Sequence, residues 1–346
     1  MPYEPPPDAT TARRSAIGRW VSFALAVILV GLVAYLGYVG FQGSAQVAEP
    51  PTPSRDCRTP GMAPYGWVYE AINYDAASDA ALADLPDPDN CPGPGAPAGQ
   101  RLQTTDGVEV AGWYIPAGNG AGPTGPTVVL AHGHGANKST MLGHAAVLHD
   151  DYNVVIFDFR NHGQSGGSQT TGGVAEQADL RAVVDWIDAK KEPEQIAVLG
   201  TSMGGAASLN EAVSDQNVDA LILDSTHATL ASALQARLES GGFPLSLPGS
   251  WSILLGSLLR TGQDISAADP VQHIGLFDRP VLIIVGGQDA SIGDRDGQDL
   301  LAAAEAGGTP AELKVCADAG HGGPLETCRG DYRDWVLGFL ARSLAQ

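Results

Sequence analysis

Basic residues are scarce in this sequence. Lysine and arginine number 19 against 39 aspartates and glutamates, which gives a formal net charge of −20 at pH 7. A nucleic-acid partner is therefore not expected, since binding to phosphates requires basic patches. Cysteine is rare as well, at 4 residues in 346. This number excludes a disulfide-dense miniprotein but suffices to staple loops in an oxidising compartment.

Charge is absent altogether from residues 20–41, WVSFALAVILVGLVAYLGYVGF. A helix of this length, at about 1.5 Å per residue, is about 33 Å long and matches a bilayer core of about 30 Å. The run is too long for the apolar core of a signal peptide, which has about 7–15 residues. The sequence thus predicts one transmembrane helix over residues 17–41, although small residues near Gly43 and Ala45 leave signal cleavage open.

Arg13, Arg14 and Arg19 precede this span, and the charged residues that follow it lie further away. The positive-inside rule therefore places residues 1–16 in the cytoplasm as a tail and the bulk of the chain on the other side of the cell membrane, after a single pass. Only the helix is expected to touch lipid, because an anionic lipid surface repels the acidic body of the protein.

Proline, glycine and acidic residues dominate residues 42–99, which are predicted as an extracytoplasmic linker and cysteine-bearing loop. Within this segment, residues 65–74 are predicted as a strand or a docking segment. Regular patterning begins at about residue 100, where Asp106-Gly107 between two apolar runs predicts a hairpin.

Beyond the hairpin, short apolar runs alternate with longer amphipathic stretches. The runs lie at 127–131, 153–159, 195–200, 220–225, 280–286 and 312–317. They are rich in Val, Ile and Leu without alternation, which is typical of strands buried on both faces of a parallel sheet. Helices are predicted between and after them, at about 137–149, 174–190, 203–214, 228–240, 295–306 and 331–344. Residues 100–346 are therefore predicted to form one α/β domain with a doubly wound sheet.

The pattern G-x-S-x-G occurs twice, around Ser202 in GTSMGG and around Ser165 in GQSGG. In a nucleophile elbow the serine sits on a sharp turn from a strand into a helix. A predicted strand precedes Ser202 and a helical run follows it at once, whereas Ser165 leads into a loop. The context favours Ser202 as the nucleophile, at a helix N-terminus whose dipole favours developing negative charge.

A serine nucleophile needs a base, and the chain order in this type of fold is serine, acid, histidine. The histidines after Ser202 are His227, His273 and His321. His321 lies just past the last predicted strand and is the expected base. His273 precedes a strand and is expected to be structural, and His227 follows a strand and is expected near the pocket.

The acid that orients the imidazole is expected at the carboxyl end of a strand. Asp289, in VGGQD, follows the run at 280–286 and is the preferred candidate. Asp224, at the end of the preceding run, is its rival. Asp294 and Asp296 are weaker candidates because they are expected to begin the next helix.

Two backbone N–H groups should form an oxyanion hole for the tetrahedral oxygen. Met203, directly after the nucleophile, is expected to supply one of them. His134, in the loop HGHGANKS after the first run, is expected to supply the other through its backbone, with Gly135 as the alternative. No metal site is predicted, since an H-x-H pair without a third ligand is weak evidence.

The segments HGHGANKS, NVVIFDFRNHGQSGG, GTSMGG, VGGQD and AGHGG, in this order, resemble the α/β-hydrolase superfamily over residues 100–346. They are most similar to bacterial serine hydrolases of the esterase, lipase and S33/S9-like peptidase group. The resemblance implies an eight-stranded, mostly parallel sheet with helices on both faces and a Ser202–Asp289–His321 triad. It also implies that Ser165 and His162 lie in a structural loop and do not react.

Members of this superfamily carry lids in the position of residues 228–270, a segment rich here in leucine. Such a lid would suit an apolar acyl or aromatic group, although helices that simply pack on the sheet would show the same pattern.

Proximity in sequence pairs Cys316 with Cys328 and Cys57 with Cys91, although four cysteines allow three connectivities. Cys316 and Cys328 bracket His321. We therefore expect their disulfide to fix the loop that presents the imidazole.

The complete set of parts predicts hydrolysis of a carboxylic ester or thioester through an acyl-enzyme intermediate, with a small-molecule substrate and no cofactor. Peptide or amide cleavage is the alternative, because the same triad cleaves amides. A non-catalytic binding protein on this scaffold would predict a broken triad, which the sequence does not have. No protein partner is indicated.

Overall fold

The computed structural model describes residues 9–50, 58–73, 102–292 and 295–344, with side chains from residue 19 onward. The predictions that concern Cys57, Cys91, Asp294, the acidic loop over residues 75–99 and the first part of the cytoplasmic tail lie outside the described residues.

Eight strands in the described part of the chain form a single sheet. They are β1 (Glu70–Ile72), β2 (Gly112–Ile115), β3 (Thr127–Ala131), β4 (Asn153–Phe157), β5 (Ile196–Thr201), β6 (Ala220–Asp224), β7 (Val281–Gly286) and β8 (Ala311–Cys316). Their order across the sheet is β1-β2-β4-β3-β5-β6-β7-β8. Only the pairings of β2, with β1 and with β4, are antiparallel. The predicted eight-stranded, mostly parallel sheet is therefore confirmed.

Helices connect the strands and follow the sheet. They are α1 (Ala9–Ala48), α2 (Leu142–Leu148), α3 (Gln177–Lys191), α4 (Met203–Ala212), α5 (Leu230–Ser240), α6 (Ser246–Thr261), α7 (Pro270–His273), α8 (Asp296–Gly307), α9 (Pro324–Thr327) and α10 (Arg329–Ser343). Single 3-10 turns lie at Lys138–Met141, Ile265–Ala268 and Ile274–Leu276.

The apolar core lies on both faces of the sheet, as the non-alternating runs predict. Successive residues of a strand point to opposite faces, so Val128 and Val129 of β3 enter different layers. One layer packs the sheet against α3 and α4, and the other packs it against α2 and α10. Both faces of the central strands are covered, and every residue of β3, β4, β6 and β7 is buried.

The predicted hairpin around Asp106-Gly107 is reduced to a turn and an isolated bridge between Gln103 and Glu109. Beyond this bridge the chain continues into β2. This strand pairs along its length with β1 and β4, and not with the segment before Asp106 that the hairpin prediction gave as its partner. Residues 70–72 form β1 at the edge of the sheet, so the strand interpretation of residues 65–74 was right.

The N-terminal helix is longer than predicted. The sequence places a helix over residues 17–41 and a linker from residue 42, but α1 begins at Ala9 and ends at Ala48. The boundary at residue 41 was wrong because the rest of α1 also packs on the protein. Gly43 lies against Ile253 of α6, and the carbonyl oxygens of the last two residues accept hydrogen bonds from His134 and Thr170. Residues 19–48 are long and apolar enough to span a membrane, and their mean hydropathy reaches 2.3 over an 18-residue window.

Candidate active site

Ser202 occupies the sharp turn between β5 and α4. Its backbone angles are φ 52° and ψ −119°, a conformation that costs free energy for any residue with a side chain. Glycines permit the turn, since a Cβ on Gly200 would lie 2.5 Å from the carbonyl oxygen of Gly204. A Cβ on Gly204 would in turn collide with the carbonyl oxygen of Ala131 at the end of β3. The elbow geometry predicted around Ser202 is present.

The side chains of Ser202, His321 and Asp289 come together at the carboxyl edge of the sheet. Nε2 of His321 lies 3.0 Å from Oγ of Ser202, and Nδ1 lies 2.8 Å from Oδ2 of Asp289. The other carboxylate oxygen of Asp289 accepts hydrogen bonds from the backbone N–H groups of Ser291 and Ile292, at 2.8 and 3.2 Å. Asp289 is buried and held on both oxygens, whereas His321 is partly open to solvent.

The loop after β3 passes directly over the nucleophile. A Cβ on Gly133 would lie 3.3 Å from the Cβ of Ser202, so this position has little room for a side chain. Neither the backbone N–H of His134 nor that of Met203 has an acceptor among the described residues. An oxyanion hole needs two N–H donors that no protein group occupies, and these two positions meet that requirement. The N–H of the alternative donor, Gly135, is instead 3.0 Å from Nε2 of His162.

The second G-x-S-x-G pattern lies in a hydrogen-bonded loop. Oγ of Ser165 donates to the carbonyl oxygen of Asp158 at 2.5 Å and accepts from the N–H of Ala111 at 2.9 Å. Asp158 also accepts from the backbone N–H and from Nζ of Lys138, in the loop after β3. This segment therefore supports the loop beside Ser202 and presents no activated hydroxyl of its own.

Comparisons with known proteins agree with this fold. A family profile described as alpha/beta hydrolase fold matches residues 126–279. An uncharacterized protein of Mycobacterium tuberculosis (strain H37Rv) is 30% identical over 66% of this chain and 74% of its own length. The chain belongs to the α/β-hydrolase family. YfhR of Escherichia coli (strain K12), also uncharacterized, is 25% identical over 73% of this chain and 84% of its own.

Solved structures include a similar α/β hydrolase. An esterase of Pyrococcus furiosus superposes on 70% of this chain and 89% of its own with a TM-score of 0.58, at 25% sequence identity. Helix α1 precedes the residues of this α/β hydrolase that the family profile matches.

Asp224 was the alternative candidate for the catalytic acid of this α/β hydrolase. It does not contact Nδ1 of His321, which instead lies 2.8 Å from Oδ2 of Asp289. One of its carboxylate oxygens accepts from the hydroxyl of Tyr332 at 2.8 Å and the other from Oγ of Ser225 at 2.9 Å. Ser225 in turn accepts from the N–H of Gly322, the residue after the histidine, at 3.1 Å. Asp224 and Ser225 thus position the loop that carries His321.

The supporting role of Ser225 and Tyr332 was not predicted from the sequence. The residue pair Asp-Ser at the end of β6 is its one local signal, because Tyr332 comes from α10, more than a hundred positions away. Asp296, another weak candidate acid, accepts from the N–H of Ala228 and from Ser232 Oγ near the start of α5. It therefore ties two helices together.

Four histidines lie around the elbow, of which His132, His162 and His227 are buried and His134 is half-buried. Removal from solvent lowers the pKa of three of the four. The pKa of His132 falls to about 3, and Nε2 accepts from the N–H of Phe159 at 3.0 Å, so the ring is neutral. The pKa of His227 falls to about 4, through burial and through the charge of His321. Burial also lowers the pKa of His134, whose Nε2–H donates to the carbonyl oxygen of Val47 at 2.9 Å. The fourth, His162, accepts from Gly135 as described above. The rings of His132, His134 and His162 thus serve as hydrogen-bonding groups that hold the loops around the elbow.

A disulfide joins Cys316, the last residue of β8, to Cys328, which precedes α10, with a Cα–Cα distance of 6.0 Å. The predicted pairing of these two cysteines is therefore present in the structure. The crosslink closes the loop that contains His321. His273, expected to be structural, has Nε2 at 2.9 Å from the carbonyl oxygen of Ala267 and does not approach the site.

Proposed function

We propose that this α/β hydrolase is a membrane-anchored serine hydrolase that cleaves a carboxylic ester or thioester. The observation that carries the proposal is the chain of hydrogen-bonding distances from Ser202 through His321 to Asp289. Such a chain activates a hydroxyl that is otherwise a weak nucleophile. The esterase activity of the similar Pyrococcus furiosus protein supports the same reaction class.

The reaction proceeds in two acyl-transfer steps. Nε2 of His321 accepts the Ser202 proton while Oγ attacks the carbonyl carbon. The resulting oxyanion receives hydrogen bonds from the backbone N–H groups of His134 and Met203, and Asp289 stabilises the imidazolium. The tetrahedral intermediate collapses, the leaving alcohol or thiol takes the proton from His321, and the acyl group stays on Ser202. Water then attacks the acyl-enzyme with His321 as base, which releases the acid and restores the hydroxyl.

Anchoring is supported by α1 and by the charges around it. Its apolar part has the length of a membrane span, and Arg13, Arg14 and Arg19 lie at its N-terminal end. By the positive-inside rule the N-terminus is cytoplasmic and the catalytic domain extracytoplasmic. The disulfide between Cys316 and Cys328 is consistent with this side of the membrane, since thiols stay reduced in the cytosol.

A fluorophosphonate probe tests the nucleophile, because it reacts covalently with activated serines. We expect labelling of the wild type and of Ser165→Ala, and none of Ser202→Ala. Equal labelling of the wild type and Ser202→Ala would refute the assignment of Ser202. A panel of p-nitrophenyl esters, thioesters and aminoacyl anilides then tests the bond type. We expect turnover of the esters and thioesters to exceed that of the anilides, and the reverse order would assign a peptidase.

A further inference from the structure

Helix α6 lies along the outer part of the membrane-spanning helix α1. At one end, the Tyr35 hydroxyl donates to the carbonyl oxygen of Pro244, just before α6, at 2.8 Å. At the other end, the Arg260 guanidinium lies 5.2 Å from the ring centroid of Phe41 and 3.3 Å from its carbonyl oxygen. Between these ends the two backbones approach closely, since a Cβ on Gly256 would lie 2.5 Å from the carbonyl oxygen of Gly40.

The surface of α6 that faces away from the protein is apolar. Residues 243–259 contain no charged residue, although the whole chain has a net charge of −20. Seven large apolar side chains in this segment are exposed to between 41% and 79%: Phe243, Leu245, Leu247, Trp251, Leu255, Leu258 and Leu259. We call these seven side chains the α6 surface. An exposed apolar patch of this kind marks an interaction site.

The α6 surface is continuous with the lipid-facing surface of α1. An open groove of about 640 Å³ runs between the two helices. Its walls include Val33 and Leu36 of α1 on one side and Leu255 and Leu259 of α6 on the other. Any acyl chain that covers the outer half of α1 therefore also meets α6, so the covering partner is the bilayer itself.

The depth of α6 follows from its contacts with α1. Tyr35 lies six residues before Phe41, the last residue of the apolar run, which is about 9 Å along an upright helix. The start of α6 is thus about 9 Å below the outer edge of the hydrocarbon, within the depth of about 5–10 Å that interfacial helices reach. Arg260, at the end of α6, is level with Phe41 and with the lipid headgroups.

We propose that α6 is an interfacial helix embedded in the outer leaflet, with the α6 surface covered by lipid acyl chains. This proposal rests on the membrane anchoring proposed above, and it replaces the expectation that α1 alone touches lipid. The repulsion on which that expectation was based is absent along the α6 surface, because residues 243–259 carry no charge. A neighbouring carboxylate, Glu239, accepts from Ser246 Oγ at 2.8 Å but belongs to α5 and not to this surface.

The same geometry places the catalytic site close to the membrane surface. The carbonyl oxygen of Val47 accepts from the His134 ring, and that of Ala48 accepts from the N–H of Thr170 at 2.9 Å. Val47 lies six residues beyond Phe41, which is about 9 Å above the hydrocarbon edge. The polar layer of a bilayer is about 5–8 Å thick on each side. The loop after β3, which carries His134, therefore lies just outside this layer. The substrate class that follows is an ester carried by a membrane-resident, long-chain molecule.

Quenching of tryptophan fluorescence by brominated phosphatidylcholine tests the position of α6. The full-length protein is reconstituted in nanodiscs whose lipids carry bromine on the upper part of the acyl chains. Trp20 and Trp251 are exposed to 72% and 61%, whereas Trp113 and Trp186 are buried. We expect Trp20→Phe to retain quenching and Trp20→Phe/Trp251→Phe to lose most of the remainder.

Two other outcomes overturn the proposal in distinguishable ways. If the wild type is quenched and Trp20→Phe abolishes all of the quenching, α1 spans the bilayer but α6 stays in water. If no variant is quenched, the anchoring itself fails, while labelling of Ser202 by fluorophosphonate still decides the catalytic assignment independently.

A substrate comparison tests the consequence for activity. The measured quantity is the ratio of kcat/KM for a long-chain ester in nanodiscs to that for a water-soluble short-chain ester. Leu259→Glu places a charge at the hydrocarbon and is expected to lower this ratio roughly tenfold. The matched control is Leu276→Glu, since Leu276 is 65% exposed and lies outside the α6 surface. An equal effect of both variants, or no effect of either, contradicts delivery of the substrate from the membrane.

Discussion

The hydroxyl of Tyr332 donates a 2.8 Å hydrogen bond to Oδ2 of Asp224, and both side chains are fully buried. Asp224 therefore serves as a structural acceptor beneath the site, although its place at the end of β6 makes it a plausible catalytic acid by sequence. The imidazole of His321 finds its carboxylate on Asp289 instead, at the end of the next strand in the sheet.

Substitution of the two aspartates should separate these roles. We expect Asp289→Asn to lower kcat by roughly 10⁴-fold, because the imidazole loses the carboxylate that orients its tautomer and stabilises its charge. We expect Asp224→Asn to lower the free energy of unfolding by about 1–3 kcal/mol, since it weakens buried hydrogen bonds, and to reduce kcat far less. Ester kinetics and urea unfolding of both variants measure the two effects, and a larger kcat loss in Asp224→Asn would reverse the roles.

The elbow should tolerate no side chain at position 200. In Gly200→Ala the new Cβ would lie 2.5 Å from both the carbonyl oxygen of Gly204 and the nitrogen of Gly205, which is shorter than any ordinary contact. We expect a loss of about 3 kcal/mol in stability from this overpacking. Gly330→Ala is the control, because that site is open within 4 Å and lies in α10, where alanine is favoured. Differential scanning calorimetry of the two variants should show a lowered Tm only for the first.

Residues 100–346 were predictable where burial leaves a pattern in the sequence itself. The runs that became β3 to β7 are buried almost throughout and apolar on both faces, so the observed strands differ from the predicted ones by only a few residues. The glycines at positions 200 and 204 marked the turn at Ser202 because only a residue without Cβ fits there.

The features that escaped prediction depend on partners distant in sequence. Nothing within residues 228–270 distinguishes a lid from a helix that packs on α1, because an apolar helix has the same pattern in both cases. Likewise, the extension of α1 to Ala48 depends on His134 and Thr170, which bind its last carbonyl oxygens. The role of Tyr332 depends on the way in which α10 packs across the sheet.

Loss of the disulfide should affect both stability and catalysis. The double variant Cys316→Ser/Cys328→Ser opens a loop of 12 residues, and we expect it to lose about 3 kcal/mol of stability. Because His321 lies in this loop, kcat should also fall, with KM for a short-chain ester little changed. Denaturant unfolding and ester kinetics measure the two effects. Detection of Cys316 and Cys328 themselves as free thiols, by alkylation and peptide mapping of the exported wild-type protein, would show that the bond does not form.

His227 should account for part of the decrease in the free energy of unfolding at acidic pH. Its pKa in the folded protein is about 4, below the ordinary value of about 6.5. Between these values the unfolded state binds more protons, so the free energy of unfolding decreases as the pH falls from about 6.5 to about 4, by roughly 3 kcal/mol in total. His132 acts in the same direction. Asp179 and Asp269, whose pKa values are raised to about 6, act in the opposite direction.

A difference measurement isolates the contribution of His227 from these other groups. We expect His227→Gln to lose less stability than the wild type between pH 7 and pH 4, as measured by urea unfolding at each pH. His273→Gln is the matched control, since that half-buried ring lies away from the elbow, and its stability should run parallel to that of the wild type. Parallel curves for His227→Gln as well would mean that the ring binds protons equally in the folded and unfolded states, so that its pKa is not lowered by burial beside His321.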